Sequence, residues 1–373
     1  MTRPTQIRID VAALRANYLF ARGLHGGRAL AVIKADAYGH GAVACAQALS
    51  AVVDGFAVAF LDEARTLREA GVRNPILVLE GAFNASEIKL AQQLDLWLVV
   101  HHDEQIRLLQ ESPAQARFNV WLKIDTGMSR AGFKSSDATG AHERLLSSGK
   151  VGSITLMTHF ARADEPGVPM TVQQIDLFDK ATASLPGERS LSNSAGLLTT
   201  PAARRDWGRP GLMLYGATTH GAEVPELQPV MSFESSVFAT RTLEPGESLG
   251  YGATFVASRR TRVGLVCAGY ADGYPQTAPN GTPVAVDGQT TALIGRVSMD
   301  MLTVDLTDLP DADIGSSVEL WGRNISVGAV ARASARSPYE LLCAVRRAPR
   351  VYLNTENSED HCEILSWPRV RTG

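Results

Sequence analysis

No stretch of this sequence approaches the roughly 20 consecutive apolar residues that a transmembrane helix needs, so nothing in it reads as a helical membrane span. Cysteine is scarce. Cys45, Cys267, Cys343 and Cys362 stand far apart, with no C-x-x-C pair and no histidine at metal-ligand spacing. That scatter argues against a disulfide framework or a zinc site, leaves no metal expected, and suits a reducing cytoplasm. Most of these thiols are expected to be buried and inert. A charge excess of either sign is missing too: 36 Lys and Arg face 39 Asp and Glu, a formal net charge of -3. No nucleic-acid partner and no anionic membrane surface is implied. The opening "MTRPTQIRIDVAALRANYLF" lacks a continuous apolar segment and a small-residue cleavage site, so it reads as neither a signal nor a transit peptide. Tandem repeats and low-complexity tracts are absent.

What is present is enough apolar material for two domains: 373 residues, 45% of them hydrophobic. Up to about residue 215, short apolar runs alternate with amphipathic helical patterns. The runs are "ALAVIK", "GFAVAF", "PILVLE", "LWLVV", "VWLKID", "SITLMTHF" and "RSLSN". Segments such as "LDEARTLREAG" and "TVQQIDLFDKATASL" between them repeat their apolar residues at three- and four-residue spacing. Strand–helix alternation of this kind means a parallel sheet. Seven units plus an eighth around "DWGRPGLMLYG" point to a closed (β/α)8 barrel, with "DWGR" and "LMLYG" both open as the eighth strand. Beyond it the texture becomes short strands divided by Gly, Pro and Asp turns. The expected division is a barrel over 1–224 and a mainly β domain over 225–373, with the strand "TQIRID" able to pair with the latter.

Chemistry in such barrels gathers at the C-terminal strand ends. That rule brings Lys34, Lys123, Asp125, His159 and Asn193 to one mouth. A strand-end lysine can simply snorkel to water. Lys34, however, sits in "AVIKADAYGHG", beside the Tyr38 hydroxyl and small residues that let a ligand approach. A partly desolvated lysine becomes a nucleophile able to form a Schiff base. "SNSAG" and "RPGLMLYG" lie where this fold binds phosphate, after strands seven and eight, and offer Ser194 and Gly211. A lysine on strand one with a phosphate cradle opposite describes a pyridoxal phosphate site. Arg130, in "KIDTGMSRAG", can hold a carboxylate by two hydrogen bonds. Lys123, inside an apolar strand, must be paired, neutral or modified. His159 either packs in the core or donates near a planar cofactor. "HHDE" offers two adjacent histidines, but adjacent strand residues point to opposite faces, which argues against a shared metal. Tyr251, between two glycines in "GYGATF", is either structural or a tuned acid–base group.

Assembled, these residues resemble the alanine racemases, pyridoxal phosphate enzymes built from a barrel plus a β domain. "AVIKADAYGHG" is similar to the family's cofactor-lysine motif. "LKIDTGMSRAGF", "THFARAD", "SNSAG", "GRPGLMLYG", "GYGATF", "AGYADGYP" and "GRVSMDM" match in order and spacing along nearly the whole chain. The resemblance implies interconversion of L- and D-alanine by two bases, for peptidoglycan supply or alanine catabolism. Lys34 would carry pyridoxal 5'-phosphate and act as one base. Tyr251, reaching in from the partner of a homodimer, would be the other. Tyr38, Ser194, Gly211 and Leu212 would contact the phosphate. Arg209 would face the pyridine nitrogen, and His159 would lie beside the ring. Arg130 and the backbone N–H of Met299 would bind the substrate carboxylate, and Tyr270 would line the access channel. Lys123 is similar to a position carbamylated in many members. Arginine stays protonated at any working pH. Arg209 therefore donates to the ring nitrogen without protonating it, which favours racemisation over transamination. The family's tyrosine before an "RVPR"-like stretch is missing: "ELLCAVRRAPRVYL" puts Arg346 or Arg347 there.

Overall fold

The computed structural model of the chain describes residues 3–113, 115–219 and 224–353. They form two compact units: Arg15–Leu214, and the residues up to Leu14 together with those from Tyr215 on. Among the described residues no helix is long and apolar enough to cross a membrane.

The strands are β1 (Gln6–Asp10), β2 (Arg28–Val32), β3 (Gly55–Val58), β4 (Ile76–Val78), β5 (Trp97–Val100), β6 (Phe118–Asp125), the two-residue β7 (Phe133–Lys134), β8 (Val151–Met157), β9 (Glu188–Ser190) and β10 (Trp207–Gly208). In the first unit they run parallel in the order β10-β2-β3-β4-β5-β6-β8-β9, with β7 paired to β6. The ring closes between β9 and β10. There Asp206 N donates to Arg189 O at 3.1 Å, Arg209 N donates to Ser192 O at 3.0 Å, and Asn193 bridges Arg209. This is the expected eight-stranded barrel. It also settles the eighth strand: Trp207–Gly208 is extended, whereas Leu212–Tyr215 is a 3-10 turn. Gly208 lies so near the ring of His25 that even a Cβ would press on it.

Three of the tryptophans fill the barrel interior. Trp97 and Trp207 meet edge to face at 5.6 Å, and both lie against Trp121. The Arg28 guanidinium caps the Trp207 ring at 4.2 Å while pairing with Glu188. Each such aromatic contact adds about 0.5–1.5 kcal/mol beyond its area burial. The interior is therefore a packed floor that leaves only the C-terminal rim for chemistry.

The second unit is mainly β. Its strands are β1, β11 (Met231–Leu243), the short pair β12 (Ser248–Leu249) and β13 (Phe255–Val256), β14 (Thr261–Val266), β15 (Pro283–Val286), β16 (Gln289–Ala292), β17 (Leu302–Asp305), β18 (Ser317–Trp321) and β19 (Arg350–Leu353). β1 lies antiparallel to β11 and parallel to β19, so the ends of the described chain share a sheet. Its alternation of half-buried and buried residues sends Ile7 and Ile9 into a core with Phe233 and Trp321, whose rings meet at 4.9 Å. Cys45 is buried, but Cys267 and Cys343 keep part of their surface, so the expected burial of most thiols is not met among the described residues. Cys362 lies outside them.

Candidate active site

Lys34 does not end its strand. β2 stops at Val32, and the chain passes Ile33 into a tight turn whose Ala35, Asp36, Ala37 and Tyr38 all have φ between +53° and +55°. A left-handed conformation costs about 1–2 kcal/mol for each non-glycine residue. Four in a row therefore store roughly 4–8 kcal/mol, comparable to the net stability of a whole domain. The surroundings hold the turn. Ala35 N donates to Glu63 Oε1 at 2.6 Å, and Ala42 N donates to Asp36 Oδ1 at 2.8 Å. His40, wholly buried, donates from Nδ1 to the carbonyls of Ala37 and Tyr38 at 2.9 and 3.0 Å. Hydrogen bonds to charged groups contribute about 1.5–3 kcal/mol each, enough together to offset the strain. Such outliers gather where a side chain must be aimed.

The turn carries Tyr38 across to the β9–β10 side. Its hydroxyl stands where a Cβ on Gly211 would come within 2.6 Å. Ser194 Oγ accepts from Gly211 N at 2.8 Å and from Met213 N at 3.3 Å, which leaves its own proton to donate elsewhere. Asn193 caps the short helix Ser194–Thr199 through Gly196 N at 2.9 Å. Leu212 follows Gly211 in the 3-10 turn. A hydroxyl, a hydroxyl proton and a side-chain-free glycine therefore form one cradle.

Arg209, 4% exposed, reaches from the end of β10 to the ends of β9 and β8. Its Nη1 donates to Ser190 Oγ at 2.5 Å and its Nη2 to Thr158 O at 2.7 Å, and Nη2 lies 3.4 Å from His159 Nδ1. Burial alone pushes this arginine down to about 10, still protonated near neutrality. Thr158 Oγ1 meets Thr126 Oγ1 at 2.8 Å. Gln174, reaching in from helix Met170–Thr182, donates to Thr126 Oγ1 at 3.3 Å and His159 O at 3.1 Å, and accepts from Ala161 N at 3.0 Å. Hydrogen bonds to different atoms of Thr158 and His159 thus connect that helix to the guanidinium through these two residues. His159 is held well below its usual pKa, first by desolvation and then by Arg209, Lys123, Arg130 and Lys34. Lys123, buried within β6, is lowered by desolvation, against the pull of Glu80 and with the push of Arg130, Arg209 and Lys34. Arg130 is exposed, on a loop whose Gly127 N and Ser129 N both donate to Asp125 Oδ1.

The rim is thus rich in cations. An anionic ligand matches its charge, and pyridoxal phosphate fits the donor set: an amine, a cradle that a Cβ at Gly211 would fill, and a buried guanidinium.

Tyr251, Tyr270 and Met299 belong to the β-rich unit. Tyr251 is 70% exposed, in a turn between Gly250 at φ +71° and Gly252 at φ +73°. Tyr270 and Met299 are brought together through their backbones: Tyr270 N donates to Ser298 O, and Ala271 N to Met299 O, each at 3.0 Å. Gly269 makes this possible, because a Cβ there would run into those two carbonyls. Asp272, fully buried, caps this turn through Gly269 N and binds Arg3 at 2.5 Å. Arg347, near the missing tyrosine, donates to Asp300 at 2.6 Å. Arg346 turns its Nε to Cys343 O at 3.3 Å.

Sequence reasoning missed Glu63, Thr126, Thr158, Gln174 and Ser190, and took His40 only as structural. A glutamate three residues past Phe60 was a faint capping signal. Nothing local marked the others.

The barrel with a charged C-terminal rim, joined to a β-rich unit, defines a two-unit enzyme plan. The chain belongs to the alanine racemase family. Residues 9–219 match the family model for the alanine racemase N-terminal domain, and residues 230–352 the one for the C-terminal domain. Similar proteins include an alanine racemase of Aromatoleum aromaticum, 59% identical over 92% of this chain and 98% of the relative. A catabolic alanine racemase of Pseudomonas putida is 55% identical over 94% and 99%. Among solved structures, the biosynthetic alanine racemase of Pseudomonas aeruginosa superposes with a TM-score of 0.91 at 48% identity, covering 94% of this chain and all of that one. The alanine racemase of Bartonella henselae with covalently bound pyridoxal phosphate gives 0.85 at 28% identity, over 94% and 99%.

Proposed function

We propose that this chain racemises alanine with pyridoxal phosphate, using Lys34 and Tyr251 as its two bases. The observation that carries the reading is the rim itself. One turn holds both Lys34 and the Tyr38 hydroxyl, and that hydroxyl abuts the Gly211–Ser194 cradle. Lys34 would hold the cofactor covalently; Tyr38, Ser194, Gly211 and Leu212 would grip its phosphate; Arg209 would face its ring nitrogen, with His159 alongside. When bound, the cofactor supplies an electron-withdrawing ring that acidifies the α-hydrogen of an attached amino acid.

The chain's own groups do the rest. Arg130 and Met299 N–H hold the substrate carboxylate, so that Cα is presented in one orientation. The amine of Lys34 moves a proton at Cα on one face. The phenol of Tyr251 moves one on the opposite face, and the roles reverse with direction. Two groups on opposite faces invert the centre without either having to migrate. Tyr270 lines the approach. Lys123, desolvated and pressed by neighbouring cations, favours a neutral amine, the form that carbamylation requires; the resulting anion would orient Arg130.

The 70% exposure of Tyr251 in this single chain supports a homodimer in which it serves the partner's barrel. The domains would divide the labour, the barrel (Arg15–Leu214) binding cofactor and the β-rich unit supplying the second base. The scattered cysteines favour a cytoplasmic setting. The deciding experiment is a chiral assay of alanine with the purified, cofactor-loaded protein, set beside an absorption spectrum. Both enantiomers should interconvert. The band of the lysine-bound cofactor should vanish in Lys34→Ala, and a band that persists in that variant removes Lys34 from its role.

A further inference from the structure

Lys34 is bracketed. The residue before it is tied to the next strand, Ile33 N donating to Ala57 O at 2.9 Å. The residue after it is tied to the same β/α unit, Ala35 N donating to Glu63 Oε1 at 2.6 Å. The other oxygen of that carboxylate accepts from Ala59 N at 2.7 Å and Phe60 N at 3.2 Å, at the entrance to helix Leu61–Glu69. A single carboxylate therefore joins the first residue of the left-handed turn to the backbone that follows β3.

At that end two backbone hydrogen bonds run within the turn, Ala37 N donating to Ile33 O at 2.9 Å and Gly39 N to Ala35 O at 3.1 Å, and Glu63 supplies the tie from outside it. Asp36 and His40 hold it further along, through Ala42 N and the carbonyls of Ala37 and Tyr38. Ala35 is itself exposed, with no side chain to anchor it. A chain of L-residues released from the left-handed region relaxes toward ordinary φ. Relaxation at Ala35 would rotate the Lys34 side chain and shift the Tyr38 hydroxyl, which has no slack against Gly211.

We propose that Glu63 is a positioning residue: its carboxylate holds the strained turn, and through it sets the aim of the Lys34 amine and the Tyr38 hydroxyl. The inference rests on the catalytic reading of Lys34 given above. It assigns Glu63 no contact with substrate or cofactor. Glu63 acts on the backbone from 28 residues beyond Ala35.

The test compares Glu63→Gln, Ala35→Gly and the double variant as cofactor-loaded enzymes. A glutamine can present only one oxygen, so it cannot accept from Ala35 N and from the helix entrance at once. Misaiming a reacting group by about 1 Å can cost 100-fold. Glu63→Gln should therefore lower kcat about 10- to 100-fold while KM for alanine moves less than about threefold. Glycine adopts the left-handed region without strain. Ala35→Gly should accordingly recover part of the loss, so the double variant is better than the product of the two single effects. A Glu63→Gln enzyme with lower thermal stability but full kcat per bound cofactor would reduce Glu63 to a helix cap and overturn the proposal. Strictly multiplicative effects in the double variant would overturn it too. Hydrogen exchange on the unaltered protein decides even if the variants do not fold. The amide of exposed Ala35 should be protected at least about 100-fold, and an unprotected amide sinks the clamp. Absence of racemisation in the unaltered protein would instead fault the catalytic reading, and the amide measurement would still judge the clamp separately.

Discussion

A methyl group placed on Gly211 would begin 2.6 Å from the Tyr38 hydroxyl oxygen. The two residues follow neighbouring strands, β2 and β10, yet they fit without room for one carbon. Gly211→Ala should push the hydroxyl aside. Because the colliding atom is the tip of a side chain, the barrel should still fold. Cofactor affinity, followed by absorbance during titration, should fall at least about tenfold, the equivalent of about 1.4 kcal/mol. Unchanged affinity would detach the Tyr38–Gly211 contact from phosphate binding.

Gln174 should matter far more than its position on a helix suggests. Gln174→Leu would strip partners from Ala161 N, His159 O and Thr126 Oγ1 in a buried setting. Each unsatisfied group costs about 1–3 kcal/mol. The expected result is a lower unfolding temperature together with a fall in kcat, since His159 and Thr158 both contact Arg209. Lost stability with intact kcat would show that these hydrogen bonds only support the fold.

His159 should make the protein acid-sensitive. Its folded pKa lies well below the ordinary value near 6.5, so below that pH the unfolded chain binds a proton that the folded one refuses. Stability then falls as pH drops, from about 6.5 down to the folded pKa, with a slope of about 1.4 kcal/mol per unit for one proton. His25 and His101 add in the same direction. His159→Gln should flatten the fall in Tm by about 2 °C per pH unit for a chain of this size. An unaltered acid limb would mean that His159 already protonates in the folded state.

If Tyr251 serves the partner's barrel, two dead enzymes should make a live one. Lys34→Ala and Tyr251→Phe homodimers lack one base at both sites. After subunit exchange, half the dimers carry one intact site, which gives about a quarter of full activity. Failure to recover activity after exchange proved by mass would place both bases in one subunit.

The motifs exposed much of this site because each is a contiguous word: lysine turn, serine–glycine cradle, arginine after the eighth strand. The barrel was legible from its period. What stayed hidden is held by residues distant in sequence. "ADAY" contains no glycine or asparagine, and no local preference announces four left-handed residues. Glu63, from the neighbouring β/α segment, helps to make that conformation tenable, with Asp36 and His40 further along. Gln174 was hidden in the same way, reading as one more polar residue of an amphipathic helix. The eighth strand was ambiguous because Trp207–Gly208 is too short to show a period, while the apolar Leu212–Tyr215 mimics a strand.

The sheet that joins β1 to β19 also sets a schedule. Asp10 and its partner Leu353 are more than 340 positions apart. At a synthesis rate of about 5–20 residues per second, the first strand leaves the ribosome roughly 17 to 70 s before its last neighbour. The barrel segment, whose contacts lie between nearby units, can complete itself in that interval. The leading strand meanwhile waits with an open edge, a template for any stray β segment. Newly made chains should therefore be most vulnerable to aggregation before β19 emerges, when the barrel is formed and β1, paired with β11 alone, still has one edge open.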